Sequence, residues 1–256
     1  MTKPVANSPK GKHKPLAGTV ALVTGSARGL GTALALRLSE YGADIAIHYR
    51  SSRTAADEVA SRIRSAGLRA ETFQADMCHA SQARKLVREV AETFGQLDHL
   101  VYNVGPFLTT PFTTLAEPQW DEIIDANLKS AWATAAEAAP CLRRSGHGHI
   151  IHIAANSAFI HTHSVYGLAK AGLIHLTESL AVELGPHISV NAIAPGLVEG
   201  TEPDAALRAL VLERTPTRRL VTPSEIAEMC ALICSSPAFA SVTGRTIVMD
   251  GGRWLR

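Results

Sequence analysis

Aromatic side chains are scarce in this 256-residue chain, where phenylalanine, tryptophan and tyrosine together make up 5%. Cysteine is also scarce, and no two cysteines form a C-x-x-C pair. The spacing therefore gives no indication of a disulfide framework. We expect the four cysteines to be reduced thiols in or near the core: Cys78, Cys141, Cys230 and Cys234.

Long apolar runs are absent too. No run approaches the roughly 18 residues that span a bilayer, and the basic N-terminal stretch MTKPVANSPKGKHKP lacks the apolar segment of a secretory signal. The formal net charge of +2 does not favour a general nucleic-acid surface. We expect residues 1–16 to be a flexible basic tail, with a small arm that reaches a partner as the alternative. A cytoplasmic protein without membrane or nucleic-acid partners is predicted.

Apolar residues make up 46% of the chain, and short apolar runs alternate with amphipathic segments from residue 18 onward. Such repeated β-α units imply a parallel sheet with helices on both faces. The predicted fold class is α/β: a single Rossmann-type, doubly wound catalytic domain over residues 17–256. Its strands, about seven, are expected at 19–25, 44–49, 69–76, 97–105, 148–155, 188–196 and 244–252, and its helices at 30–43, 54–67, 81–95, 117–144, 165–185 and 222–237.

The stretch TGSARGLG places Gly25, Gly29 and Gly31 between the first strand and the first helix. Glycine at the first position permits a tight turn, and small residues let backbone N–H groups approach a pyrophosphate. The helix N-terminus adds unpaired donors and the positive end of the helix dipole. The spacing is G-x-x-x-G-x-G, and its position at the first β-α junction predicts a dinucleotide site.

The end of the second strand carries no acidic residue. An NAD-binding site usually has Asp or Glu there, roughly 20 residues after the glycines, to bind the ribose hydroxyls. This chain has Tyr49, Arg50 and Ser51 instead, and Arg28 lies inside the glycine turn. Guanidinium groups suit phosphate geometry, so the two arginines predict NADP(H) over NAD(H). The alternative is that both are solvated surface residues.

The ordered motifs resemble those of the short-chain dehydrogenase/reductase family over residues 18–252. They are TGSARGLG, QAD, NVG, DANLKS, YGLAK, NAIAPG and VTGRTIVMDGG. The resemblance implies contacts to adenine after the third strand, to ribose and nicotinamide after the fourth, and to the carboxamide after the sixth. Taken together, the predicted cofactor contacts are Gly25, Ser26, Arg28, Gly29, Leu30, Gly31, Tyr49, Arg50, Ser51, Asp76, Met77, Asn103, Val104, Gly105, Tyr166, Lys170, Pro195, Gly196 and Val198.

Tyr166 and Lys170 are four residues apart, which puts both side chains on one helix face. A nearby ammonium and the charge of an oxidised nicotinamide favour the phenolate, so the phenol can serve as general acid or base. The resemblance implies that Lys170 also binds the nicotinamide ribose. It further implies that Asn127 holds a water that links Lys170 to solvent.

The family's usual serine is missing. A count forward from the fifth strand reaches Ala155, and a count back from Tyr166 reaches Ile153 or Ala154. Ser157 is the leading candidate for the hydrogen bond to the substrate oxygen, with Asn156 as an alternative. His161 and His163 are interpreted as loop histidines, although contact with substrate stays open. No metal site is expected, because strand alternation sends His149 and His152 to opposite faces.

The favoured function is NADPH-dependent reduction of a carbonyl, in the manner of 3-oxoacyl-thioester reductases and related ketoreductases. Reduction of a C=N bond, as in bacterial pteridine reductases, is the alternative, and a non-catalytic NADP-binding protein is a weaker one. Residues 197–220 are expected to form a substrate lid, and residues 105–115, with Phe107 and Phe112, the opposite wall. The resemblance also implies a homodimer or homotetramer, through the helices at 117–144 and 165–185 and the C-terminal strand.

Overall fold

A seven-stranded parallel sheet forms the centre of the protein, in a computed structural model that describes residues 14–160, 164–201 and 204–255. The strand order is β3-β2-β1-β4-β5-β6-β7, and every neighbouring pair is parallel. The predicted α/β fold is confirmed. The strands are β1 (Val20–Val23), β2 (Asp44–Tyr49), β3 (Ala70–Gln74), β4 (His99–Tyr102), β5 (Gly148–Ile153), β6 (Ile188–Pro195) and β7 (Thr246–Met249).

Eight α-helices in the described residues connect these strands and cover both faces of the sheet. The last one begins with a capping box, because the Thr222 hydroxyl accepts the Glu225 N–H and the Glu225 carboxylate accepts the Thr222 N–H. The helices are α1 (Gly29–Glu40), α2 (Arg53–Ser65), α3 (Ala80–Phe94), α4 (Glu117–Ile124), α5 (Ser130–Ser145), α6 (Val165–Leu184), α7 (Ala205–Arg214) and α8 (Pro223–Ser235).

Each face of the sheet has its own apolar core. Helices α1, α2 and α8 pack on one face, where Leu34 and Leu38 meet Ile45 and other strand residues. Helices α3, α5 and α6 pack on the other face, where Leu22 and Leu142 are fully buried. Two covered faces explain why the central strands are largely apolar and are buried on both sides.

The chain is already packed against the domain at residues 14–16, inside the predicted tail. Leu16 is buried, and its N–H donates to the Tyr41 carbonyl at 2.9 Å, just beyond the end of α1. The folded unit therefore includes these residues. The predicted loop residues His161 and His163, and Pro203 of the predicted lid, lie outside the described residues.

The region predicted as one long helix at 117–144 is not continuous. A π-helical turn, Asp125–Lys129, separates α4 from α5. Two side chains occupy carbonyls at the break: the Asn127 amide donates to Ile123 at 3.0 Å, and the Tyr102 hydroxyl donates to Ala126 at 2.5 Å. Because π turns are common at functional sites, we expect this segment to form part of such a site.

None of the helices in residues 14–160, 164–201 and 204–255 combines the length and apolar character that crossing a bilayer requires. Over the same ranges, no group of three or more His, Cys, Asp or Glu side chains is arranged to hold a metal ion. His149 and His152 do lie on opposite faces, because the first ring packs near His99 and the second near Tyr102. The cysteines within the described residues are free thiols, and Cys230 and Cys234 are buried.

Candidate active site

The glycine turn joins β1 to α1 at the carboxyl edge of the sheet. Gly25 and Gly29 have φ of +65° and +52°, a region that favours glycine. A Cβ on Gly31 would lie 2.0 Å from the Gly25 carbonyl oxygen, so α1 can pack this closely on the turn only with glycine there. The N-cap residue Arg28 makes no side-chain cap, which leaves the first N–H groups of α1 available to a phosphate.

His48 braces this turn, a role that sequence analysis missed. Its Nδ1 accepts the Gly25 N–H at 2.9 Å, and its Nε2 lies 3.0 Å from the Ala75 carbonyl. With Nδ1 as acceptor, Nε2 must carry the proton. Burial lowers the pKa of His48 to about 4, so the ring is neutral at physiological pH. A neutral imidazole therefore connects the ends of β1, β2 and β3.

Ser26 and Thr24 have structural partners at the same turn. The Ser26 hydroxyl donates to Val23 at 2.8 Å and accepts the His48 N–H at 3.1 Å, so it is already occupied. The Thr24 hydroxyl accepts the Asn103 N–H at 2.8 Å, and the Asn103 amide donates to the Thr24 carbonyl at 3.0 Å. These bonds attach the end of β4 to the glycine turn. Thr24 is a second residue that sequence analysis missed.

A cleft of about 180 Å³ opens beside the turn. It brings together residues that were predicted from widely separated motifs. It also contains residues that were not predicted as contacts, among them Cys78, Pro106 and Glu122. The lining residues are Gly25, His48, Arg50, Asp76, Met77, Cys78, Val104, Pro106, Glu122 and Ala126.

The two candidate phosphate-binding arginines, Arg28 and Arg50, are exposed. Within the described ranges neither guanidinium forms a hydrogen bond or an ion pair, although the charge of Arg50 helps to lower the pKa of Asp76. The largest cause of that lowered pKa is the Cys78 N–H, which donates to the Asp76 carboxylate at 2.9 Å. Both arginine side chains are therefore free to turn toward an anionic ligand.

The remaining predicted cofactor residues differ in exposure. Tyr49 and Met77 are buried, and Tyr49 packs in the core on the α1 face. Ser51 is exposed and Leu30 is half-buried. On the other side of the site, Pro195 ends β6, the Gly196 N–H donates to the Met249 carbonyl at 3.0 Å, and Val198 pairs with Val221. The sheet thus places all these segments at one edge.

Lys170 and Asn127 meet at Gly105, and the Tyr166 ring lies beside Lys170. Lys170 donates from Nζ to the Ile153 carbonyl at 2.9 Å, and this nitrogen lies 5.6 Å from the centre of the Tyr166 ring. A Cβ on Gly105 would lie 2.5 Å from Asn127 Oδ1 and 2.7 Å from Lys170 Nζ. Because only hydrogen fits on that carbon, the chain after β4 can lie directly against both side chains.

Burial perturbs both ionisable groups of the pair. It lowers the pKa of Lys170 to about 7 and raises that of Tyr166 to about 12. Desolvation is the cause of both shifts, and the predicted effect of the ammonium together with an oxidised nicotinamide concerns the cofactor-bound site and stays a prediction. Any further charge at this site would act on a tyrosine whose pKa is already above its ordinary value.

Asn156 and Ser157, the two residues predicted to replace the missing serine, have different surroundings after β5. The Asn156 amide donates to the Asp250 carboxylate at 3.3 Å, and the same carboxylate oxygen accepts the Trp254 N–H at 2.9 Å. Asn156 is therefore held against the C-terminal segment. The Ser157 hydroxyl is buried, on a turn that contacts α6, and has no hydrogen-bond partner among the described residues. Ala155 adopts extended backbone and has no hydroxyl.

Two aromatic residues were predicted to line a wall of the pocket, and they have different surroundings. Phe107 is exposed and its ring meets that of Tyr166 edge-on, with centroids 4.9 Å apart. Phe112 packs at 6.4 Å from Trp120. Phe107 therefore lies at the predicted reaction site, whereas Phe112 contacts α4. The predicted lid contains one helix, α7.

The fold and this glycine turn define a nucleotide-binding oxidoreductase of the doubly wound class. A family model described as "Enoyl-(Acyl carrier protein) reductase" matches residues 25–253. An uncharacterised oxidoreductase of Mycobacterium tuberculosis is 41% identical, in an alignment that covers 91% of each chain. A 3-oxoacyl-[acyl-carrier-protein] reductase of Staphylococcus aureus is 34% identical over 92% of this chain and 98% of its own. The chain belongs to the short-chain dehydrogenase/reductase family.

Solved structures support the same assignment. A short-chain dehydrogenase from Burkholderia cenocepacia in complex with NADP superimposes with a TM-score of 0.89 at 33% identity, covering 93% of this chain and 99% of the other. A short-chain dehydrogenase/reductase from Serratia marcescens gives 0.89 at 32% identity, covering 94% and 99%. This protein is accordingly an oxidoreductase with a nicotinamide-cofactor fold.

Proposed function

We propose that this protein is an NADPH-dependent reductase that transfers hydride to a carbonyl group, with Tyr166 as the proton donor. One observation carries the proposal: Lys170 and Asn127 meet at Gly105, with the Tyr166 ring 5.6 Å from the Lys170 amine. A buried amine and a buried amide in contact with one glycine, beside a half-buried phenol, are expensive to maintain without a function.

Each side chain has a distinct task in this proposal. NADPH, when bound, supplies the hydride. The Tyr166 hydroxyl gives its proton to the substrate oxygen, and the Lys170 ammonium makes that phenol more acidic. Lys170 keeps one donor on the Ile153 carbonyl and has others for the ribose. Asn127 presents Oδ1, which has no partner within the described residues, as the acceptor for a relaying water.

The preference for NADP(H) over NAD(H) rests on the end of β2. No carboxylate is present there to bind ribose hydroxyls, while Arg28 and Arg50 are exposed. Relatives from Burkholderia cenocepacia and from a metagenomic library are described in complex with NADP and NADPH. We assign the 2′-phosphate to the two arginines.

Carbonyl reduction is favoured over C=N reduction by Ser157. A buried hydroxyl that has no partner among the described residues, on a turn that contacts the helix carrying Tyr166, suits a donor to a developing oxyanion. The staphylococcal relatives are named 3-oxoacyl-[acyl-carrier-protein] reductases, which act on a ketone. The small-molecule substrate is therefore proposed to be a ketone, such as a β-ketoacyl compound, bound beside Phe107.

Tyr166→Phe tests the proposal. Removal of one hydroxyl should lower kcat by roughly 10²–10⁴-fold and leave NADPH affinity almost unchanged. The rate is followed by loss of NADPH absorbance with a β-ketoester, a cyclic imine and a dihydropterin. Tyr41→Phe is the matched control. The Tyr41 hydroxyl lies just beyond the end of α1, where it donates to the Glu228 carboxylate. An unchanged rate would remove Tyr166 from the mechanism, and turnover of the imine alone would favour C=N reduction.

The homodimer or homotetramer also remains part of the proposal. Trp132 on α5 and Val182 on α6 are exposed apolar side chains on the helices that the resemblance assigns to subunit contacts. Light scattering of the purified protein should give two or four times the chain mass. A monomer at micromolar concentration would contradict this assignment.

A further inference from the structure

Three buried polar atoms near the catalytic lysine lack a hydrogen-bond partner among the described residues. They are Asn127 Oδ1, Ser130 Oγ and His152 Nε2, and their side chains are entirely buried. We call these three residues the polar seam. Buried groups of this kind almost always have a partner, because an unsatisfied one costs about 1–3 kcal/mol. Three such atoms in one part of the fold indicate that a polar molecule lies between them.

The contacts around His152 place the seam on the α5 and α6 side of the sheet. His152 on β5 pairs in register with Tyr102 on β4, and their rings meet edge-on at 6.4 Å. The Tyr102 hydroxyl donates to Ala126, the residue before Asn127. Ser130 follows three residues after Asn127, at the start of α5. The rings and the π turn are therefore in one layer.

A second contact determines which nitrogen of His152 is free. His152 Nδ1 lies 2.8 Å from the Thr177 hydroxyl, and that hydroxyl donates its own proton to the Leu173 carbonyl at 2.8 Å. Nδ1 must therefore carry the ring proton, and Nε2 is left as an acceptor. Thr177 lies two turns beyond Lys170 on α6. The imidazole is a fixed acceptor in the layer below the lysine.

The lysine needs such an acceptor. Its ammonium is buried and has three donors, of which one binds the Ile153 carbonyl. The titratable groups near it are Tyr166 on α6 and His152 on β5, with Tyr102 on β4 packed against His152 and Cys78 near Tyr102. Burial keeps all four uncharged at neutral pH. Neutral dipoles must therefore stabilise the charge.

We propose that His152 is a positioning residue, which together with Asn127 and Ser130 holds a buried water cluster that solvates Lys170. The role of Lys170 rests on the proposed function, whereas the water site itself does not. Asn127 Oδ1 and Lys170 Nζ are neighbours against Gly105, since each lies within 2.7 Å of the position that a Gly105 Cβ would occupy, and Ser130 Oγ and His152 Nε2 add two further buried polar atoms. Such a site has the several polar partners that an internal water requires.

The hydrogen bonds of the polar seam end at Thr177, the partner of His152. Thr177 passes its proton to a helix carbonyl, so the His152 side cannot conduct protons further. The cluster therefore stabilises charge at Lys170 and does not form a second exit for protons. Loss of its acceptor should make the lysine easier to deprotonate, because hydrogen bonds to a charged form favour that form.

The test is a carbon-13 NMR titration of Lys170 in the protein without cofactor, assigned by the signal that disappears in Lys170→Arg. His152→Leu should lower the pKa of Lys170 by about one unit, and Ser130→Ala should shift it the same way by less. His152→Asn, which restores an acceptor, should recover most of the shift. His149→Leu is the matched control on the opposite face of the same strand and should change nothing.

Activity provides the second measurement. At neutral pH His152→Leu should lower kcat roughly tenfold, with a pH profile displaced to lower pH and an unchanged KM for NADPH. A folded His152→Leu protein with an unaltered Lys170 titration would overturn the inference, as would a high-resolution crystal structure without ordered water at these atoms. If His152→Leu does not fold, the Lys170 titration of Ser130→Ala decides, and an unaltered pKa there would also overturn the inference. If the pKa of Lys170 shifts as expected but the protein has no reductase activity, only the proposed function is rejected, and the water site stands.

Discussion

Replacement of Gly105 by alanine tests the core of the site with a single methyl group. The new Cβ would lie 2.5 Å from Asn127 Oδ1 and 2.7 Å from Lys170 Nζ, whereas ordinary contact begins at 3.4 Å. Both neighbours are ends of side chains, and the backbone of Gly105 does not occupy the left-handed region. The perturbation is therefore local and acts on the two groups proposed to serve the proton transfer.

The geometry sets the size of the effect. Each polar atom must retreat by roughly 0.7–0.9 Å, and such a displacement would strain the 2.9 Å bond from Lys170 to Ile153. Misplacement of a reacting group by about 1 Å can cost on the order of 10²-fold in rate. Overpacking by one methyl group should cost about 1–2 kcal/mol of unfolding free energy. We expect a folded protein with kcat reduced about a hundredfold.

Steady-state reduction of a ketone that the unmodified protein turns over measures this effect, and urea unfolding measures stability. The matched control is Gly172→Ala, which adds a methyl group to α6 at 2.9 Å from a side-chain carbon of Leu128. It should retain nearly full activity. Full activity in Gly105→Ala would refute the reasoning, because it would show that Lys170 and Asn127 need not occupy their present positions.

Arg50→Gln should raise KM for NADPH by roughly 10–100-fold but not KM for NADH, since only NADPH carries a 2′-phosphate; equal losses would contradict the assignment. Ser157→Ala should lower kcat roughly 10–1,000-fold, whereas Asn156→Ala should chiefly lower the melting temperature, because its amide binds Asp250. Burial lowers the pKa of His48 from 6.5 to about 4. The unfolded chain is therefore protonated first as pH falls, and up to about 3 kcal/mol of stability is lost between pH 6.5 and 4. His48→Gln should flatten that loss in urea titrations; an unchanged slope would exclude His48 as its source.

The fold could be predicted because its signals are local. Each strand is a short apolar run that ends near glycine or a polar residue, and each helix has an apolar face of its own. Tyr166 and Lys170 could be paired because helical spacing puts them on one face whatever surrounds them. The glycine turn was recognisable for a similar reason, since its conformation depends on Gly25 and Gly29 themselves.

The missed features depend on contacts between distant segments. The strand pattern places His48 at the end of β2, but only the folded sheet shows that it reaches Gly25 and Ala75. The π turn was missed because its cause lies partly in Tyr102, more than 20 residues earlier in the chain. Asn156 looked free to bind substrate, because nothing near it in sequence indicates Asp250 as its partner.

The link from Asp250 to Asn156 has a practical consequence for handling the protein. Through this one carboxylate, the last residues of the chain support the turn that holds Ser157, and the rings of Phe159 and Trp254 add a second contact, with centroids 5.3 Å apart. Deletion of residues 250–255, or an affinity tag that displaces them, would disturb the substrate side of the site. The other end enters the fold near Leu16, beside the far end of α1. Purification tags therefore belong at the N-terminus.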